Sequence, residues 1–160
     1  MIDLAYFTEY IRCHRDGRVE KYYKRSCRYG RKGWNVVPNT ANHDGYNHID
    51  VNGKKVKRHR MIAFCFHGLD IDDPTEKVDH INRDTIGNSA DNLRVVTQQQ
   101  NNFNRGAKGY SWDKNRDKWE AYIHIDGKKI RLGLFDEEQD ARQAYLDAKE
   151  IYHVIPTNSD

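Results

Sequence analysis

The sequence predicts an α+β protein, on three observations. The amino-terminal third alternates short strand-like runs with turns, the centre joins two β-branched runs to a helix start, and the carboxy-terminal third alternates apolar and polar residues before switching to helical spacing. In chain order this gives a basic β-rich segment over residues 1–58, a strand–strand–helix core over 59–104, a linker at 105–109, and a three-stranded antiparallel sheet packed on one helix over 110–153.

In the first segment, Arg18 to Lys24 and Tyr46 to Val51 read as strands, and Asn52-Gly53 supplies a two-residue hairpin turn into Lys54–Arg58. Arg58 to Phe66 reads as a short buried helix ending near His67-Gly68, where glycine takes a left-handed cap. An acidic, proline-containing loop, Asp70 to Lys77, leads to the strand Val78-Asp79-His80. Leu93-Arg94-Val95-Val96 is a second strand suited to pairing with it. Thr97 with Gln100 three residues on is a capping-box pattern, so a helix should run from Gln98 to about Asn104.

Composition narrows the function classes. A chain of 160 residues with 37% hydrophobic and 32% charged residues is surface-rich and holds one ordinary domain or two small ones. No apolar run approaches the ~18 residues of a membrane span, and Met1 to Arg12 has no secretory pattern, so the expected place of work is the cytoplasm. Cys13, Cys27 and Cys65 form neither a disulfide framework nor a CxxC pair. Cys13-His14 with Cys27 lacks a second paired ligand set for zinc, so reduced structural cysteines are expected, with Cys65 in buried packing.

Charge is distributed unevenly. Residues 1–67 carry 14 Lys/Arg against 6 Asp/Glu, a net of +8, whereas residues 68–160 carry 13 against 18, a net of −5. A basic amino-terminal half suits a polyanion, because phosphate contacts give strong, salt-sensitive affinity. Its tyrosines, interleaved with Lys and Arg, suit stacking on bases or the wet face of a small sheet equally well.

The two central strands and the helix bring Asp79 and Asn101 together across 22 residues of sequence. Phosphodiester hydrolysis needs a hydroxide-like nucleophile, neutralisation of phosphate charge and stabilisation of the departing oxygen. A carboxylate and an amide oxygen suit a hard ion such as Mg²⁺, leaving positions open for phosphate and water. His80, next to Asp79 but on the opposite side of a strand, suits a general base as a neutral imidazole. Asn92 lies between the strands, where its amide can lock the loop and orient His80, and Asn88 is its rival for that role. Arg83 and Arg94 suit bidentate phosphate contacts, with surface placement an equal reading.

This set, Asp79-His80 with Asn92 in Asp91-Asn92-Leu93 and Asn101, resembles the HNH motif of the ββα-metal nucleases, in the form common among phage and intron-associated homing endonucleases. The resemblance implies Asp79 and Asn101 as metal ligands, His80 as base and Asn92, in preference to Asn88, as scaffold. Asn101 stands where many members have histidine, which favours Mg²⁺ or Mn²⁺ over zinc. His59-Arg60 also resembles a recurring pair in this family.

In the last segment, Trp119, Ala121, Ile123 and Ile125 alternate with Glu120, Tyr122, His124 and Asp126, so one sheet face is apolar and the other polar. Asp126-Gly127 turns the chain, Ile130 and Leu132 return to the apolar face, and Lys129 and Arg131 join the polar one. A helix over Glu137–Tyr152 follows, with Ala141, Ala144, Tyr145, Ala148 and Tyr152 at helical spacing. Gly109-Tyr110-Ser111-Trp112, Lys118 to Ile123, Leu132 to Phe135 and Ala141…Ala144-Tyr145 resemble the APETALA-type (ethylene-response-factor) DNA-binding domain. That resemblance implies that Tyr122, His124, Lys129 and Arg131 contact the major groove. Some arginines that plant members carry in the first strand are absent, so the base pairs read stay open.

The expectation is therefore a homing-type endonuclease that hydrolyses double-stranded DNA with Mg²⁺, favoured as a monomer, with no membrane partner and no small-molecule cofactor. Two alternatives stand beside it. One is a restriction enzyme of the same active site cutting a short palindrome as a dimer, and the other is a DNA-binding regulator that does not cut.

Overall fold

A computed structural model describes residues 2–24 and 30–155, which leaves Cys27 outside the described residues. The chain divides into two compact units, one running to Gln98 and the other covering Gln99–Pro156.

The first unit opens with a four-stranded antiparallel sheet in chain order: β1 (Leu4–Thr8), β2 (Ile11–His14), β3 (Val19–Tyr23) and β4 (Gly33–Val36). Of these, sequence patterning singles out β3 alone, although all four strands are only four or five residues long. Alternation then does its work: Ile11, Cys13 and Val19 point inward and are buried, while Arg12 and Glu20 pair across the outer face. A hairpin of β5 (His48–Val51) and β6 (Lys54–Lys57) leads directly into α1 (Arg58–His67).

Helix α1 buries Met61, Ile62 and Ala63 completely. Burial of side chains the size of Met or Ile is worth roughly 1.5–3 kcal/mol each. Met61 and Ile62 join Ile11, Cys13, Val19, Ile49, Ala90 and Leu93 in one core. Cys13 is a core residue, whereas Cys65 on α1 is only half-buried, less enclosed than its apolar neighbours suggest. Strands β7 (Lys77–His80) and β8 (Leu93–Val96) close the unit as an antiparallel pair, joined by a loop that ends in a 3-10 turn at Ala90–Asn92.

Helix α2 (Gln98–Phe103) opens the second unit and completes a ββα run in chain order. A three-stranded antiparallel sheet follows, with β10 (Lys118–Ile125) central between β9 (Tyr110–Asp113) and β11 (Lys128–Phe135). Helix α3 (Glu138–Tyr152) covers one face with Ala141, Tyr145 and Ala148 buried, so small side chains let it lie close to the strands. The class is α+β. Two positions differ from the periodic pattern: Tyr152, in the last turn, is 51% exposed, and Ile130, on the edge strand β11, is 44% exposed because no further strand lies beyond it.

The Gly109 carbonyl accepts from Tyr122 N–H at 2.8 Å. A Cβ at Gly109 would lie 2.1 Å from the Tyr145 ring, so this glycine is a packing position. Among the described residues no helix is long and apolar enough to cross a membrane.

Candidate active site

Strand pairing builds the site from β7 and β8. Asp79 stands opposite Arg94 and His80 opposite Leu93. Arg94 Nε and Nη2 both donate to Asp79 Oδ2, at 2.8 and 2.7 Å, and both side chains are largely shielded from solvent. The guanidinium is thus paired with the carboxylate, where the sequence offered phosphate contact or surface placement. A cation directly across a non-polar-flanked ladder from a carboxylate pairs with it. Arg83 is exposed, in the turn closed by its N–H to the His80 carbonyl at 2.9 Å.

His80 is 5% exposed and faces polar and aromatic neighbours. Its Nε2 lies 3.2 Å from Asn88 Oδ1. The His59 ring meets it edge-on at 5.1 Å, and Tyr46 sits 5.0 Å from His59 and 6.2 Å from His80. Lys57 Nζ lies 3.9 Å from the centre of the Tyr46 ring. Burial pushes the His80 pKa down, opposed by the Asn88 hydrogen bond and the Asp79 and Asp84 charges. Burial, then the neighbouring His80 and the Lys57 and Arg60 charges, push His59 down to about 3. Both imidazoles are therefore neutral at pH ~7.

Asn92 ties the loop between the strands. Its Oδ1 accepts from Asn82 N–H at 3.0 Å and its Nδ2 donates to the Gly87 carbonyl at 2.6 Å, so the amide ties the two ends of the loop together. Both of its polar groups are used on backbone, as an amide that locks the loop requires, and the amide that reaches the His80 ring is that of Asn88, 3% exposed. Spacing alone left the two asparagines as rivals, and only the path of the loop distinguishes them.

Sequence patterning passed over a second buried feature. Arg58 is 1% exposed and meets no acidic partner among the described residues. Instead Nε donates to Asn47 Oδ1 at 2.8 Å, Nη1 to the Gly17 carbonyl at 3.0 Å, and Nη2 to the Val37 and Pro38 carbonyls at 2.7 and 2.9 Å. Four acceptors replace a counter-ion. Burial brings its pKa down to about 10, so it stays charged. The only signal in sequence is its place at the first turn of a buried helix.

Asn101 is half-buried on α2, in the second unit. Asp79 and Asn101 are hard oxygen donors, a chemistry that fits Mg²⁺ or Mn²⁺ better than zinc. Among the described residues no three or more His, Cys, Asp or Glu side chains group to hold a metal, which includes Cys13 and His14.

On the second unit, Tyr122 pairs with Arg131 and His124 with Lys129, so all four side chains share one sheet face. A register shift beside Tyr122 keeps them aligned. Lys129 Nζ donates to Glu120 Oε2 at 2.7 Å and lies 4.1 Å from the Tyr122 ring centre, and Arg131 Nε is 3.4 Å from Glu120 Oε1. Glu120 therefore holds both cations of the face.

Protein 3.8 of Escherichia phage T7 is 32% identical over 83 residues, which cover 47% of this chain and 69% of that protein. The solved structure of DNA binding and cleavage by the HNH homing endonuclease I-HmuI aligns with 78% of this chain and 72% of its own, at a TM-score of 0.46 and 21% identity. Residues 56–103, from β6 through α1, β7 and β8 to the end of α2, match the HNH endonuclease family, and the chain belongs to it.

Proposed function

We propose that the protein is a site-specific DNA endonuclease of the homing type, with His80 as general base, Asp79 and Asn101 as metal ligands and the second unit as an APETALA-type recognition domain. The observation that carries the reading is the Asp79-His80 pair on β7, its carboxylate gripped by Arg94 and its neutral imidazole gripped by Asn88, within a stretch of the HNH endonuclease family.

Each residue contributes a separate function. Arg94 orients the Asp79 carboxylate. Asn88 Nδ2 donates to the Ile86 carbonyl, so Oδ1 is the atom facing the ring; His80 Nε2 must then carry the proton and Nδ1 is the basic nitrogen. Nδ1 takes a proton from the attacking water, and its depressed pKa keeps it available at neutral pH. Asn92 holds the connecting loop so that these positions persist. When bound by Asp79 and Asn101, Mg²⁺ or Mn²⁺ supplies charge neutralisation at the phosphate and stabilises the departing 3′ oxygen. The basic amino-terminal half and the Tyr122, His124, Lys129 and Arg131 face support duplex DNA as the substrate, reached in the cytoplasm.

Incubation of the chain with supercoiled plasmid and genomic DNA, with Mg²⁺ or with EDTA, tests the reading. Discrete metal-dependent cuts at a long asymmetric site are expected. No cleavage with either Mg²⁺ or Mn²⁺ would remove the nuclease assignment, and a short palindromic footprint from a dimer would remove the homing assignment.

A further inference from the structure

We infer that Asn39, 41 residues before His80, is a positioning residue for that histidine: through the Asn88 side chain it holds the imidazole in a single tautomer. The catalytic consequence rests on the nuclease reading; the structural one does not.

The geometry fixes every proton in the relay. A backbone carbonyl only accepts, and the Ile86 carbonyl receives Asn39 Nδ2 at 2.9 Å and Asn88 Nδ2 at 3.0 Å. That contact settles which end of each amide is nitrogen. Asn39 Oδ1 then accepts from Asn88 Nδ2 at 3.1 Å. With the nitrogen of Asn88 turned to these two acceptors, its Oδ1 meets His80, and Nε2–H is the tautomer that fits. Without Asn39, the Asn88 amide has one acceptor fewer and can turn over, presenting N–H to the ring and moving the proton to Nδ1. That tautomer cannot take a proton from water at Nδ1.

The amino-terminal segment is built to hold Asn39 in place. Arg58 clamps the carbonyls of Val37 and Pro38, and Asn47 Nδ2 donates to those of Pro38 and Thr40, at 3.2 and 2.6 Å. Asn88 is pressed from the other side by Gly17, where a Cβ would sit 2.6 Å from the Asn88 carbonyl. Asn39 itself is exposed, so its removal opens no cavity.

The test is Asn39→Ala in the full chain, read in two ways. Ring ¹⁵N shifts of His80, assigned by comparison with His80→Gln at about pH 8, should show Nε2–H in the parent chain and a mixture in the variant. Single-turnover cleavage should fall about tenfold, with the Kd for DNA and KM changed by less than about twofold. An unchanged tautomer overturns the inference, whatever happens to cleavage, and so does a full cleavage rate beside a mixed tautomer. If the parent chain cuts no DNA, the nuclease reading fails while the ring signal still decides the relay.

Discussion

The two units use polar side chains in opposite ways. In the first, Arg58, Asn47, His59, Asp79, His80 and Asn88 are all buried, and the hydrogen-bonding groups of Arg58, Asn47 and Asn88 meet partners of fixed geometry. In the second, His124, Lys129 and Arg131 lie on an open sheet face, and the two cations share one glutamate in water. A buried polar group must be satisfied, and losing a partner costs about 1–3 kcal/mol, whereas exposed ion pairs contribute about 0–1 kcal/mol. The first arrangement suits chemistry that tolerates little displacement, the second a surface whose contacts can be exchanged without loss of the fold.

The strongest test of that contrast is His80→Ala. Loss of a general base reduces rate by about 10²–10⁴-fold, so plasmid nicking should fall below detection at the usual enzyme concentration while a gel-shift with the target DNA is unchanged. Cleavage at the parent rate would remove His80 from the chemistry. Next in size is Arg58→Met, which keeps the volume and removes the charge, leaving the Asn47, Gly17, Val37 and Pro38 oxygens without their donor. Destabilisation of about 3 kcal/mol or more is expected, measured as a lower urea midpoint at unchanged slope. A shift no larger than that of an exposed Arg→Met control would show that the buried cation is dispensable.

These two residues also mark what the sequence makes legible. His80 stands beside Asp79 in a motif whose residue types announce their chemistry, and the hairpin at Asn52-Gly53, α1, the β7 and β8 pair and the three-strand-plus-helix pattern all follow from local periodicity and turn residues. Arg58 looks like any basic residue ahead of a helix, because its partners lie 11 to 41 positions away. The choice between Asn88 and Asn92 depends on how a loop doubles back, and the pairing of Arg94 with Asp79 depends on strand register. Long-range contacts of this kind leave no periodic trace in the chain.

His59 sharpens the contrast on the pH axis. Its folded pKa of about 3 lies far below the unfolded value of ~6.5, so between these the unfolded chain binds a proton that the folded chain refuses. Its contribution to stability is constant above pH ~6.5 and declines as pH falls, reaching a loss of about 2 kcal/mol near pH 5. Urea midpoints for the parent and His59→Gln at pH 7 and pH 5 check this: the parent should lose more between the two than the variant. Equal losses would mean that another group governs the acid side.

The smallest effect belongs to the open face. Arg131→Ala removes one of the two cations held by Glu120, and a single base contact is worth about 1–3 kcal/mol of discrimination. Affinity for the target should drop about tenfold, with a smaller drop on unrelated DNA, no change in urea midpoint and no change in single-turnover rate at saturating enzyme. Glu120→Gln separates electrostatics from readout: freeing Lys129 and Arg131 from the glutamate should raise affinity for all DNA, most at low salt. An Arg131→Ala protein that binds target and unrelated DNA as the parent does would mean that this face does not touch the bases, and the exchangeable surface would have to be sought on another part of the molecule.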